Sequence, residues 1–370
     1  MAHQITALGG WMGFDTFMDL ALYTPGMGYY ANDLPKFGAL PGASPALASA
    51  SAAPANSDFV TAPEMTPLFG YALARQVAQA LHATDTDEVW EFGAGTGALA
   101  QHLLAALTEM GVAPVRYTIV EVSTSLRERQ RARLAAWVPQ VQWASALPQA
   151  LHAVVLGNEL LDAMPVQLLV RKGGVWHERG VALEGVGDGA ADPFVWSDRP
   201  TTLRPSADID GEHDYLTEIH PRGEAFVRTL GERLVRGAAF LLDYGFPQDE
   251  YYHPQRHMGT VMCHRAHQSD IDPLADVGFK DITAHVNFTG LALAAQDAGL
   301  EVLGYTNQAH FLMNCGLVDL MQEAALPVRV AAQKLILEHE MGELFKVIAL
   351  GKGPLWQPLG FAQGDKTHRL

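Results

Sequence analysis

The chain has 370 residues, 48% hydrophobic and 18% charged, which excludes a disordered polymer and suits a globular protein of two domains or one with large insertions. With 41 acidic against 25 basic residues the net charge is −16, a poor match for nucleic-acid phosphates. Only Cys263 and Cys315 are present, no apolar run reaches the ~18 residues of a transmembrane helix, and the N-terminus has no signal or transit pattern, so the expectation is a soluble cytoplasmic protein without disulfides or stable membrane insertion.

Residues 1–35 mix aromatics with glycines around a short predicted helix near Asp15–Leu22. Residues 38–57 are Ala/Ser/Pro-rich and predict a flexible loop. Pro67 fits the first turn of a helix over Leu68–Leu81. Residues 1–82 thus read as an N-terminal extension that caps the substrate. Strand and helix then alternate: strand Glu88–Phe92, helix Gly97–Met110, strand Tyr117–Val122, helix Leu126–Trp137, strands Val141–Trp143 and Ala153–Gly157. That alternation implies a parallel sheet with right-handed crossovers.

After Pro165, Val166–Arg171 and Val175–Leu183 flank Lys172-Gly173-Gly174, a hairpin signal, and 184–215 read as irregular. Helix Glu224–Val235 and strand Ala238–Leu242 precede a His-rich stretch of low periodicity over 246–287. Helix Phe288–Ala298, strand Glu301–Thr306, helix Val328–His339 and strand Phe345–Leu350 complete the pattern. The predicted core is 83–350 with insertions at about 166–220 and 246–287, followed by a tail over 351–370.

The first predicted strand runs into Glu91-Phe92-Gly93-Ala94-Gly95-Thr96-Gly97. Dinucleotide sites place their third glycine one residue later, where this chain has Ala98, and an acid at 91 repels a pyrophosphate but suits an amino group. The second strand ends at Glu121, 24 residues past Gly97, where an acid accepts bonds from ribose hydroxyls. The pattern E-x-G-x-G-x-G with an acid ending the next strand fits an S-adenosyl-L-methionine site; a nicotinamide dinucleotide is the rival. Trp143 and Ala144 end the third strand and face the adenine side, and Asn158 ends the fourth. Open α/β sheets bind ligands beyond the carboxyl ends of their strands, where these residues fall.

Asp19-Leu20-x-Leu22-Tyr23-x-Pro25-x-x-Gly28-Tyr29-Tyr30, Asp58-Phe59-Val60-Thr61-Ala62-Pro63-Glu64, Glu91–Gly97, Val120-Glu121-x-Ser123, Asn158-Glu159-x-x-Asp162-Ala163-Met164-Pro165, Asp243-Tyr244-Gly245-Phe246 and Asp281–Phe288 together resemble the MidA-like family. Ser57 stands where that family usually has glycine. The resemblance implies an α/β, Rossmann-like class I methyltransferase with a mostly parallel seven-stranded sheet in the order 3-2-1-4-5-7-6, its last strand antiparallel. It also implies methylation of protein arginine, with a complex I-type subunit as partner.

A guanidinium acceptor is cationic and needs carboxylates to hold it. Glu159 and Asp162 are the first candidates, expected at i, i+3 on one helical face, with Glu64 a third. Tyr244 is expected to wall the substrate pocket, and His285, near Asp281, to reach the site from the second insertion. Cys263, His264 and His267 lack a matched second ligand pair, so no metal site is expected.

Overall fold

The computed structural model describes residues 1–32, 60–112, 114, 116–184 and 194–370. The stretch read as a flexible loop over 38–57, with Asp58 and Phe59 after it, lies outside the described residues. The chain divides into two compact units: Met1–Leu34, Leu161–Ala225 and Phe246–Leu291 form the first, and Pro35–Leu160, Phe226–Gly245 and Ala292–Leu370 the second. The extension expected over 1–82 is therefore shared between the units, its helical second half going with the second.

The second unit is built on seven strands: β1 (Glu88–Phe92), β2 (Arg116–Val120), β3 (Val141–Ala144), β4 (Leu151–Asn158), β5 (Leu234–Phe246), β6 (Glu301–Asn307) and β7 (Phe345–Lys352). Their spatial order is β3-β2-β1-β4-β5-β7-β6. Strands β1 to β5 pair in parallel, and β7 runs antiparallel to both β5 and β6. Order and directions match the expectation. Central strands buried on both faces need continuous apolar runs, and Ala153–Leu156 with Ala238–Leu241 supply them, all fully buried.

Helix α1 (Pro67–Thr84) starts where the sequence places it, with Pro67 at its first position and the Thr66 hydroxyl accepting from the Leu68 N–H. Helix α2 (Ala98–Glu109) follows the glycine loop directly, and α3 (Thr124–Arg133) is capped by the Ser123 hydroxyl. The apolar faces of α1 and α2 join the sheet in one core that includes Phe69, Leu73, Leu103, Leu107, Ile119, Leu156 and Phe240.

The first unit carries an antiparallel sheet in the order Trp11–Gly13, Val175–Leu183, Gln167–Lys172, Tyr215–Ile219, with Phe194–Pro200 also paired to Val175–Leu183. The predicted hairpin is present: Lys172 pairs with Val175, and Gly173 and Gly174 take φ of +53° and +79° in the two-residue turn. Among the described residues no helix is long and apolar enough to cross a membrane.

Several elements differ from expectation, among them a three-stranded sheet of Gln268–Asp270, Met262–Arg265 and Asp281–Thr283 inside the stretch read as of low periodicity, and two unexpected helices, Gln308–Asn314 and Leu317–Glu323. The stretch 184–215 contains the strand Phe194–Pro200, seven residues paired along their length. The helix expected over Val328–His339 runs from Leu326 to Gln333 only, and Glu340 beyond it has non-helical backbone angles. No helix follows Asn158: Glu159 has φ of +50°, and a short turn leads into the strand Gln167–Lys172.

Candidate functional site

The carboxyl ends of β1 to β5 bring most of the singled-out residues to one edge of the sheet. Gly93, Gly95 and Gly97 have φ of +65°, +52° and +84°, a left-handed run that side chains resist, and the loop closes with the Gly97 N–H on the Ala94 carbonyl. Such a loop leaves its backbone open to close approach by a ligand.

Glu91 is 2% exposed and accepts the Tyr117 hydroxyl at 2.7 Å. Burial pushes its carboxyl up to about 7, offset by the Tyr117 bond and reinforced by the charge of Glu121. A raised carboxyl stabilises the fold fully below its unfolded value near 4.5 and loses that contribution as pH rises through 7. The free protein is therefore expected to lose about 3 kcal/mol between pH 5 and 8, and Glu91→Gln, which cannot ionise, to flatten that loss. Denaturant unfolding of both proteins at the two pH values measures it; parallel curves would show that Glu91 is not the titrating group.

Glu121 follows β2 and is largely buried. Its carboxylate accepts the Ser123 N–H at 2.8 Å and the Gln130 amide at 3.2 Å. Burial raises its pKa, while these two donors and the Arg127 charge oppose the rise. Trp143 is half-buried; its indole N–H donates to Gln130 Oε1, and the Arg131 guanidinium lies 5.2 Å from the ring centroid. The Ala144 carbonyl accepts the Glu121 N–H. Asn158 donates to Glu159 Oε1 at 3.1 Å, and its own Oδ1 is buried and accepts no hydrogen bond among the described residues.

The fourth strand end corrects the expected pairing of carboxylates. A shared i, i+3 helical face for Glu159 and Asp162 does not form, because Glu159 is left-handed and its N–H donates to the Leu242 carbonyl. Asp243, fully buried at the end of β5, accepts the Leu160 and Tyr244 N–H groups and braces this bend. A non-glycine residue held left-handed costs about 1–2 kcal/mol, and such strain gathers at functional sites.

Glu64, on the short helix Ala62–Met65, already holds a guanidinium. Arg133 lies 2.7 Å from its Oε1, and the Thr96 hydroxyl bonds the same carboxylate. This strap ties the glycine loop to α3. Tyr244 packs edge-on against Phe345 with centroids 5.4 Å apart.

The first unit holds Asp162, Asp281 and His285. Asp162 is buried, and its backbone carbonyl accepts the Ala284 N–H. Asp281 takes the Tyr30 hydroxyl on both oxygens at 2.9 Å. His285 stacks on Phe246 at 5.3 Å. Cys263 is buried in a strand and burial pushes its thiol up to about 12; no group of three or more metal-ligating side chains exists among the described residues.

Sequence reasoning missed Tyr117, the Thr96–Arg133 strap and Gln130. For Gln130 a signal exists: Leu126, Gln130 and Leu134 recur every four residues, so a polar amide sits on the buried stripe of an otherwise arginine-rich helix.

A crystal structure of a Burkholderia thailandensis protein bound to S-adenosyl-homocysteine is similar at 47% identity, with a TM-score of 0.91 over 100% of this chain and 95% of that one. The mitochondrial protein arginine methyltransferase NDUFAF7 homolog of Caenorhabditis elegans is 26% identical over 353 residues, 85% of this chain and 81% of the worm protein. The human NDUFAF7 protein is 26% identical over 347 residues, 79% and 73% of the two chains. Residues 72–306 match the family model Methyltransf_28. The chain belongs to that family of S-adenosyl-L-methionine-dependent methyltransferases.

Proposed function

We propose that this protein methylates the guanidinium of an arginine in a protein substrate, of the complex I-subunit type that the MidA-like resemblance implies. The observation that carries the reading is Glu159, a carboxylate held in strained backbone at the end of β4. The curated relatives named as protein arginine methyltransferases support the choice of acceptor. Two buried free cysteines suit the reducing cytoplasm as its location.

The residues at the strand ends fit S-adenosyl-L-methionine. That molecule presents donors in its ammonium, ribose hydroxyls and adenine amine, and the strand ends offer acceptors, including the orphaned Asn158 Oδ1 and the Glu121 carboxylate. In this reading Glu91, Gly93, Gly95, Gly97 and Asn158 hold the amino-acid end, Glu121 the ribose, and Trp143 with Ala144 the adenine. The cofactor supplies an electrophilic methyl group on a sulfonium. The protein's part is orientation and charge: Glu159 accepts hydrogen bonds from the guanidinium, fixes the attacking nitrogen, draws positive charge from it and receives the released proton. Orientation of this kind is worth up to ~7–11 kcal/mol of the barrier. Asp162, Tyr244 and His285 are the further acceptor-side candidates. Glu64, committed to Arg133 and Thr96, acts by shaping the loop.

Mass spectrometry of the host proteome with and without the gene tests the reading. Methylarginine on a defined protein is expected to vanish with the gene and return with the purified enzyme and cofactor. Methylation confined to lysine or to a small molecule would overturn it. Glu121→Ala removes a charged acceptor, so S-adenosylhomocysteine affinity is expected to fall by about 1.5–3 kcal/mol with folding retained. Unchanged affinity in calorimetry would place the ribose elsewhere.

A further inference from the structure

Gln130 is a fully buried polar side chain of the cofactor edge. Only it and Leu126 are buried on α3. Its carboxamide uses both ends. Nε2 donates to the Gly95 carbonyl at 2.9 Å and to Glu121 Oε2 at 3.2 Å, and Oε1 accepts the Trp143 indole N–H at 2.8 Å. These partners sit at the ends of three adjacent strands, in the glycine loop after β1, after β2 and in β3. Ionised glutamate cannot make the two donations, lysine cannot accept from the indole, and asparagine is one methylene shorter. The three partners also fix the orientation of the amide, since two acceptors face Nε2 and a donor faces Oε1.

We infer that Gln130 is a positioning residue for the nucleoside half of the cofactor: one amide sets the glycine loop, the Glu121 carboxylate and the Trp143 ring in mutual register. The inference rests on the reading that these three elements line the cofactor site. Glu121 is the member through which the effect is largest. A carboxylate with one oxygen on the Ser123 N–H and the other on Gln130 is held in a single rotamer, so its remaining lone pairs keep their aim. Without Gln130 the acid is buried with one donor fewer and turns more freely. A ligand must then supply the ordering.

The test uses the full chain and S-adenosylhomocysteine as the probe. Gln130→Met keeps length and removes all three bonds; Gln130→Glu keeps shape and the indole acceptor but loses both donations. Each is expected to weaken binding about 10- to 30-fold in calorimetry. A merely structural role predicts independent losses, so both changes are also combined with Glu121→Ala. There the further loss from Gln130→Met is expected to be under about threefold, because the two residues act as one unit. Wild-type affinity in either folded Gln130 variant, beside a weakened Glu121→Ala, would overturn the inference. So would full additivity in the double variant. Wild-type affinity in Glu121→Ala itself would instead overturn the placement of the cofactor on which the inference rests.

Discussion

Gly95→Val is expected to abolish S-adenosylhomocysteine binding, a loss of at least about 10²-fold, because two effects act together. The residue sits at φ of +52°, where a β-branched side chain is strained, so the loop must abandon its shape. Its carbonyl also accepts the Gln130 amide, and a reshaped loop drops that bond. Gly95→Ala is expected to fall between valine and wild type. Circular dichroism and the unfolding transition are expected to remain those of a folded protein. Calorimetric binding within tenfold of wild type in Gly95→Val would show that the ligand does not approach this loop.

The second large effect separates chemistry from cofactor binding. Glu159→Gln preserves shape and removes charge, and turnover is expected to fall roughly 10²–10³-fold, the loss typical of one preorganised electrostatic group. Affinity for S-adenosylhomocysteine should stay within about twofold. Glu159→Gly sharpens the result. Glycine accepts the left-handed backbone at φ of +50° without strain, so this variant is expected to gain about 1 kcal/mol of stability while losing activity. A change that stabilises and inactivates identifies strain retained for function. Asp162→Asn is expected to have the weaker effect. Wild-type methyl transfer by Glu159→Gln would remove its carboxylate from the reaction and leave the bend as a purely architectural feature.

Much of the second unit is legible in the chain because its signals are local. Ala153–Gly157 and Ala238–Leu242 are unbroken apolar runs of strand length, and Glu91–Gly97 marks the turn between strand and helix. Phe194–Pro200 escapes because none of its residues is buried: it is a strand through backbone pairing with Val175–Leu183, which leaves no alternating apolar pattern in the sequence. The bend at Glu159 escapes for another reason. Nothing in Asn158-Glu159-Leu160 favours a left-handed glutamate. That conformation is imposed by the Leu242 carbonyl and the Asp243 carboxylate, 83 and 84 residues along. Gln130 is marked in the sequence by its place on the buried stripe of α3, but its role emerges only when its three partners from other strand ends are in place.

Strand β7 lies between β5 and β6, yet it is the last strand made. As the chain leaves the ribosome, β5 and β6 exist without the neighbour that joins them, each presenting an unpaired backbone edge. The sheet closes only when residues 345–352 arrive. Until then the nascent protein has the exposed strand edges that recruit chaperones or other chains. A message truncated shortly before Phe345 would encode every glycine and carboxylate of the cofactor edge, but not the strand that holds β5 and β6 together.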